Sequence, residues 1–211
     1  MSSVKIVYFP ARGRAELARL VLAAAGQDWE EEVVTGETMP ALKESGRLPF
    51  GQVPLLEDGN VTVSQSMAMA RYLARKHDLY GDLVQGAVAD QIIDGNNDLL
   101  AKFIPHVFGP NASKEGVGNF VRDILPGFLQ AFSKLLQSNK DGKEWAAGNS
   151  FSFADIALFA ITESMLFDQE WVKKEDYPLL AAHYERVKAV NNIASYLASS
   201  KRHPARKIEA A

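Results

Sequence analysis

The sequence has no cysteine among its 211 residues. That absence excludes a disulfide, a protein thiolate nucleophile, an iron–sulfur cluster and a cysteine-ligated zinc. No apolar run approaches the ~20 residues that span a bilayer, so no membrane partner is expected. Excess positive charge is missing too: 23 Lys and Arg stand against 26 Asp and Glu, for a net charge of −3. Nucleic-acid binders usually carry a basic face, so no nucleic-acid partner is expected. The histidines (His77, His106, His183 and His203) have no metal-ligand spacing, and no metal is expected. A G-x-S-x-G elbow is absent. Gly116-Val117-Gly118 lacks the preceding strand and third glycine of a dinucleotide fingerprint. The opening residues read as a strand that soon meets Arg12 and Arg14, not as a secretion signal, which makes the cytoplasm the expected location. The glycosylation-type triplets at Asn60 and Asn111 then read as coincidence.

What is present is apolar material with a clear pattern. Hydrophobic residues make up 47% of the chain, enough for a sizeable core. Val4 to Tyr8 alternates and is rich in β-branched residues, so it reads as a strand. Pro10 to Gly13 break it. From Arg14 to Ala25 the period turns helical, with Leu17, Leu20, Val21 and Ala24 on one face, and Gly26 stands at a capping position. Trp29 to Val34 reads as a second strand and Pro40 to Lys43 as a short helix. Val53 to Leu56 and Val61 to Val63 read as a hairpin turning at Asp58-Gly59. Ser64 to Lys76 is helical.

The first part is therefore βαβ followed by ββα, the pattern of a small mixed sheet covered by helices. After residue 80 the strand signals stop. Long amphipathic patterns follow, from Val84 to about Phe108, from Asn119 to Leu136, and from Tyr177-Pro178 to about Val190. The expected organisation is an α/β domain over 1–77, a polar linker over 78–82 and an all-α domain over 83–211. Ser152-Phe153-Ala154-Asp155 has the spacing of a capping box and predicts a stably nucleated buried helix. The basic stretch from Lys201 to Lys207 reads as a loosely held tail.

Three strings stand at matching intervals: Tyr8-Phe9-Pro10-Ala11-Arg12-Gly13-Arg14-Ala15-Glu16, then Leu48-Pro49-Phe50-Gly51-Gln52-Val53-Pro54-Leu55, then Gln65-Ser66 ahead of Ala68-Met69-Ala70-Arg71-Tyr72-Leu73. With the helical second half and the Ser152 to Asp155 box, they resemble the cytosolic glutathione transferases over nearly the whole chain. The likeness is closest to the sigma class, with pi-class similarity at Asp90 to Asp98. It implies a thioredoxin-like N-terminal domain that binds glutathione as co-substrate. It also implies an all-helical domain that binds a small hydrophobic electrophile, and a homodimer serving detoxification.

The resemblance also implies roles for particular residues. Tyr8 donates its hydroxyl to the glutathione sulfur, and Arg14 stands near that sulfur, where it either stabilises negative charge or caps a buried network. Val53 offers its backbone beside a cis Pro54. Gln65 and Ser66 receive the γ-glutamyl group, where a helix N-terminus suits a carboxylate. Lys43 and Gln52 lie at the glycyl end. Met39 occupies a position where many relatives have a Trp, and Met has no N–H to donate. Asp98 either reaches across a dimer interface toward the γ-glutamyl amine or is a polar helix residue. Phe9, Arg14, Phe103, Pro105 and Phe108 would form the electrophile wall; the alternative for Phe103 and Phe108 is a place in the helix core. Phe50 resembles the aromatic key that some classes insert into a partner subunit.

Elementary energetics support the role of Tyr8. A free thiol of this kind has a pKa of about 8.5. One hydrogen bond to a charged acceptor is worth roughly 1.5–3 kcal/mol, enough to lower that pKa by ~1–2 units. With no protein cysteine, the reactive sulfur has to arrive with the substrate. Two other outcomes fit the same motifs. One is a glutathione-dependent isomerase of the prostaglandin type, and the other is a non-catalytic, crystallin-like binding relative. Intact Tyr8, Gln65 and Ser66 argue against the second.

Overall fold

The computed structural model describes residues 4–110 and 112–211, so the triplet at Asn111 lies outside the described residues. Val4–Tyr8 forms β1, with Val4, Ile6 and Val7 all buried. A strand buried on both faces belongs in the middle of a sheet. The sheet order is β2-β1-β3-β4, where β2 is Trp29–Val33, β3 is Leu55–Asp58 and β4 is Val61–Ser64. β1 pairs parallel with β2, in the register Tyr8↔Val33, and antiparallel with β3, in the register Val7↔Leu55. β3 and β4 form a hairpin with Asp58 opposite Val61. The pattern predicts the turn at Asp58-Gly59. Asp58 instead stays in the strand, buried, and accepts from Tyr72 Oη at 2.9 Å and from Lys76. The turn falls on Gly59-Asn60, with Gly59 at φ +62°.

The helices of this unit are α1 (Glu16–Ala24), α2 (Met39–Glu44) and α3 (Ser66–Lys76). α1 is buried from Glu16 through Ala23, more than an amphipathic stripe would require. A later helix, α9 (Asn191–Ala198), packs on α1. The pattern leaves that segment in the helical domain, whereas Val190–Ala205 groups with the residues up to Leu79 in one compact unit. Specific contacts hold it there. Tyr196 Oη donates to Glu16 at 3.2 Å, and Arg202 donates to the same carboxylate at 3.0 Å. Burial and the neighbouring Glu16 push the Tyr196 phenol far above its usual pKa range, so it stays a neutral donor. Lys201 donates to Asp28 at 2.5 Å and lies 3.9 Å from the Trp29 ring centroid. The stretch expected to be loose is thus held through its positive charges.

The second unit is Tyr80–Ala189 with Arg206–Ala211. It contains α4 (Leu83–Val107), α5 (Lys114–Asp123), α6 (Leu125–Gln137), α7 (Phe153–Thr162) and α8 (Pro178–Lys188). One helix is predicted over Asn119 to Leu136, but the structure breaks it at Ile124. Pro126 follows at once, and a proline ring clashes with the carbonyl four residues earlier. α7 continues into a π-helical turn, Glu163–Phe167, which no local signal announced. No helix among the described residues is long and apolar enough to cross a membrane.

The capping box at the start of α7 is present. Asp155 is fully buried and accepts from the amides of Ser152 at 2.9 Å and Ala146 at 2.6 Å. His183 of α8, also fully buried, places Nε2 2.9 Å from the same carboxylate. One side chain thus joins a helix start, a loop and a second helix. Asp155→Ala is expected to destabilise this unit by about 3 kcal/mol or more, because it leaves several buried donors unpaired. Urea unfolding followed through Trp145 and Trp171 would measure this, and an unchanged midpoint would contradict it.

Candidate active site

The register dictates where the marked residues meet. β1 and β4 both run antiparallel to β3. The end of β1, the start of β3 and the end of β4 therefore lie at one end of the sheet. Tyr8, Val53-Pro54 and Gln65-Ser66 occupy those three positions. Because β2 runs parallel to β1, its exit toward α2 lies at the same end. Residues far apart along the chain thus gather at one end of the sheet.

Tyr8 is half-buried and held at both its main chain and its hydroxyl. Its carbonyl accepts from Val34 N at 2.9 Å. Its hydroxyl accepts from the main-chain N–H of Arg14 at 3.1 Å. A phenolic oxygen has one proton to donate and accepts as well. With an acceptor site taken by Arg14, the hydroxyl proton remains available for another partner. The atom of Arg14 at the hydroxyl is its backbone nitrogen. The Arg14 side chain is half-buried and makes no hydrogen bond or ion pair among the described residues.

The loop after Tyr8 is secured from beneath by Arg19 of α1, whose side chain is fully buried. Its guanidinium donates to the carbonyls of Ala11 at 2.8 Å and Arg12 at 3.2 Å. It also forms a two-point pair with Glu31 of β2, at 2.8 and 3.1 Å. Burial is the largest single influence and works against its charge, but the hydrogen bonds and charge of Glu31, together with the charge of Glu16, outweigh it and raise the pKa. The fork geometry of Arg suits such a site, where a Lys could not reach two carbonyls and a carboxylate together. The same guanidinium stands 5.9 Å from the Tyr8 ring centroid.

The Val53–Pro54 peptide is cis, as the motif implied. Val53 lies just outside the β3 ladder, and no hydrogen bond among the described residues engages its backbone. Gln65 is exposed and has φ +71° and ψ +115°, unusual for a residue with a β-carbon. Ser66, buried, begins α3, and neither residue caps the helix through its side chain. The N-terminal amides of α3 thus remain open to an anion.

Met39 packs on the cluster of Val7, Val34, Leu48 and Leu55, so its side chain anchors the α2 segment. Lys43 is exposed in the last turn of α2 without an ion pair among the described residues, and Gln52 is exposed next to Val53. Phe9 is exposed beside Tyr8, the two rings meeting edge to face at 5.6 Å.

In the helical unit, Phe103 is buried against Phe120 and Trp171, at ring separations of 4.9 and 5.5 Å. It faces the core of that unit, as half of the sequence expectation had it. Pro105 is exposed inside α4, and Phe108 is exposed just past its end, with Arg206 at 4.9 Å from its ring centroid. Asp98 is exposed on α4. Among the described residues, no group of three His, Cys, Asp or Glu is arranged to hold a metal.

Residues 4–75 match the family model described as glutathione S-transferase, N-terminal domain, and residues 97–200 match the C-terminal domain of the same name. The chain is 36% identical over 203 residues to glutathione S-transferase P of Homo sapiens, covering 94% of this chain and 93% of that protein. It is 36% identical to glutathione S-transferase P 1 of Bufo bufo, covering 92% of this chain and 91% of that one. A nu-class structure from Haemonchus contortus superposes with a TM-score of 0.79 at 30% identity, over 99% of this chain and 100% of that one. A pi-class structure from Onchocerca volvulus gives a TM-score of 0.80 at 29% identity, over 93% of this chain and 92% of that one. The class names among these relatives are pi and nu; the sigma class read from the motifs is not among them.

The backbone of Gln65 gives a prediction that needs no ligand. Glycine adopts positive φ without steric penalty, and a strained non-glycine conformation costs on the order of 1–3 kcal/mol. Gln65→Gly is expected to stabilise the fold by about 1 kcal/mol, seen as a higher thermal midpoint. A lower midpoint would mean that the Gln65 side chain supports the turn more than its backbone strains it.

Proposed function

The chain belongs to the glutathione S-transferase family, and from that premise we propose that it conjugates glutathione to small hydrophobic electrophiles with Tyr8 as the group that holds the thiolate. One observation carries this reading. The Tyr8 hydroxyl, the unengaged Val53 backbone and the open N-terminus of α3 share one end of the sheet, and that hydroxyl is already accepting from Arg14 N. Each supplies a different part of glutathione recognition. An extended cysteinyl backbone pairs with Val53 like an added strand. The γ-glutamyl carboxylate meets the α3 amides, Gln65 and Ser66. Lys43 and Gln52 attend the glycyl carboxylate, where Met39 contributes packing and no donor. The sulfur then lies at Tyr8, whose proton stabilises the anion.

Catalysis on this reading is mostly preorganisation. The hydroxyl donates more strongly to the thiolate than to the thiol, so it lowers the thiol pKa. Holding that sulfur beside an electrophile replaces a bimolecular encounter. Phe9, exposed beside Tyr8, offers an aromatic surface that suits an apolar electrophile. Arg14 completes the electrophile contacts proposed for this unit; for the helical unit the proposed residues are Pro105 and Phe108, both exposed there. The working form is a cytoplasmic homodimer, to which the exposed Phe50 contributes an aromatic contact and Asp98 an acid toward the γ-glutamyl amine.

Tyr8→Phe is expected to lower kcat/KM by ~10–10³-fold, comparable to the loss of one oxyanion donor. The apparent pKa of the rate profile should rise toward that of free glutathione, about 8.5. Assay with a chlorodinitrobenzene-type substrate across pH tests both, and an unchanged profile would remove Tyr8 from the mechanism. Lys43→Ala is expected to raise KM for glutathione about 3–10-fold with kcat unchanged, the mark of uniform binding. A fall in kcat at constant KM would assign Lys43 a different role.

A further inference from the structure

Gly13 stands where the chain turns back onto Tyr8. It opens a 3-10 turn, Gly13–Ala15, that leads into α1. Its φ is +40°, in the region that side-chain-bearing residues avoid. A β-carbon added at Gly13 would lie 2.7 Å from Tyr8 Oη, 3.2 Å from Cε1 and 3.4 Å from Cζ. Oη is thus in the space a side chain would need. The next residue supplies the amide that donates to that oxygen at 3.1 Å. The bare α-carbon and the hydrogen bond belong to one arrangement: the turn closes onto the phenol only because nothing projects from position 13.

We infer that Gly13 is a positioning residue for the reaction, acting through Tyr8: its missing side chain lets the Arg14 N–H occupy the Tyr8 hydroxyl and leaves the hydroxyl proton for the glutathione sulfur. The inference rests on the Tyr8 reading above. A donor on the acceptor side of a hydroxyl polarises its O–H bond and strengthens it as a donor. It also removes the alternative in which the hydroxyl spends its proton on a neighbouring carbonyl. A glycine needed only for a positive φ would have no reason to act through the oxygen atom of residue 8, and that difference can be measured.

The test is a double-mutant cycle, with Gly13→Ala introduced into the parent protein and into the Tyr8→Phe variant. With Tyr8 present, Gly13→Ala is expected to lower kcat/KM by about tenfold or more, the scale of one hydrogen bond. It should also raise the pH at which bound glutathione ionises, followed by thiolate absorbance. In the Tyr8→Phe variant, the same change should alter neither quantity by more than about twofold. Equal losses in both backgrounds would overturn the role of Gly13 and leave that of Tyr8 intact. A silent Tyr8→Phe would overturn both. If Gly13→Ala does not fold with Tyr8 present, recovery of folded protein on adding Tyr8→Phe supports the contact at Oη, and failure in both backgrounds refutes it.

Discussion

The two-sided pairing of β1 is the constraint on which the first unit depends. Its register with β2 and β3 sets Tyr8 beside Val33 and one step beyond the Val7–Leu55 pair. A shift of one residue would turn every side chain to the opposite face. Val4, Ile6 and Val7 would lose their buried places, and Tyr8 would turn away at the end of the sheet where Val53 and Gln65 stand. The apolar core that enforces the register therefore also places the site. The Arg19–Glu31 pair adds a second restraint, tying α1, β2 and the loop after Tyr8 into one polar centre. Losing one partner of such a pair leaves a buried charge uncompensated, a large cost in a desolvated position.

At the site itself the backbone supplies much of the chemistry. The Arg14 amide meets the Tyr8 hydroxyl, the Val53 peptide is unengaged, and the α3 amides are open. Main-chain groups are fixed by the surrounding hydrogen bonding and lose no rotamer freedom when a ligand arrives. That is the physical sense of preorganisation here. The unfavourable conformation of Gln65 fits the same view, since strain collects where a loop must present particular groups.

The helical unit depends on a different kind of anchor. Asp155 is a buried carboxylate satisfied by two amides and a histidine. It organises the start of α7 and the approach of α8 without touching the residues proposed to bind substrate. Phe103 belongs with this architecture, since Phe120 and Trp171 enclose it. Its difference in role from Phe108, little more than one helical turn further on, reflects the end of α4: inside the helix the ring turns to the core, and past it the chain is extended and the ring faces solvent.

The sequence by itself determined the order and type of the main elements, because period and capping are local. The alternation of Val4 to Tyr8, the stripe on α1 and the spacing of Ser152 and Asp155 all became the elements they signalled. It also marked Tyr8, Val53-Pro54 and Gln65-Ser66, through motifs short enough to read directly. It did not reveal the break at Ile124, the π turn at Glu163–Phe167, or the return of Val190–Ala205 to the first unit. The first two follow from local geometry that competes with a continuing helical period. The third depends on Arg202, Tyr196 and Lys201 finding Glu16, Asp28 and Trp29 from the far end of the chain. The tertiary structure alone decided that the Arg14 backbone amide meets the Tyr8 hydroxyl, and that Gly13 lies against that hydroxyl. A main-chain amide has the same chemistry at every residue but proline, so no choice of amino acid announces where one will point; only the closed turn does.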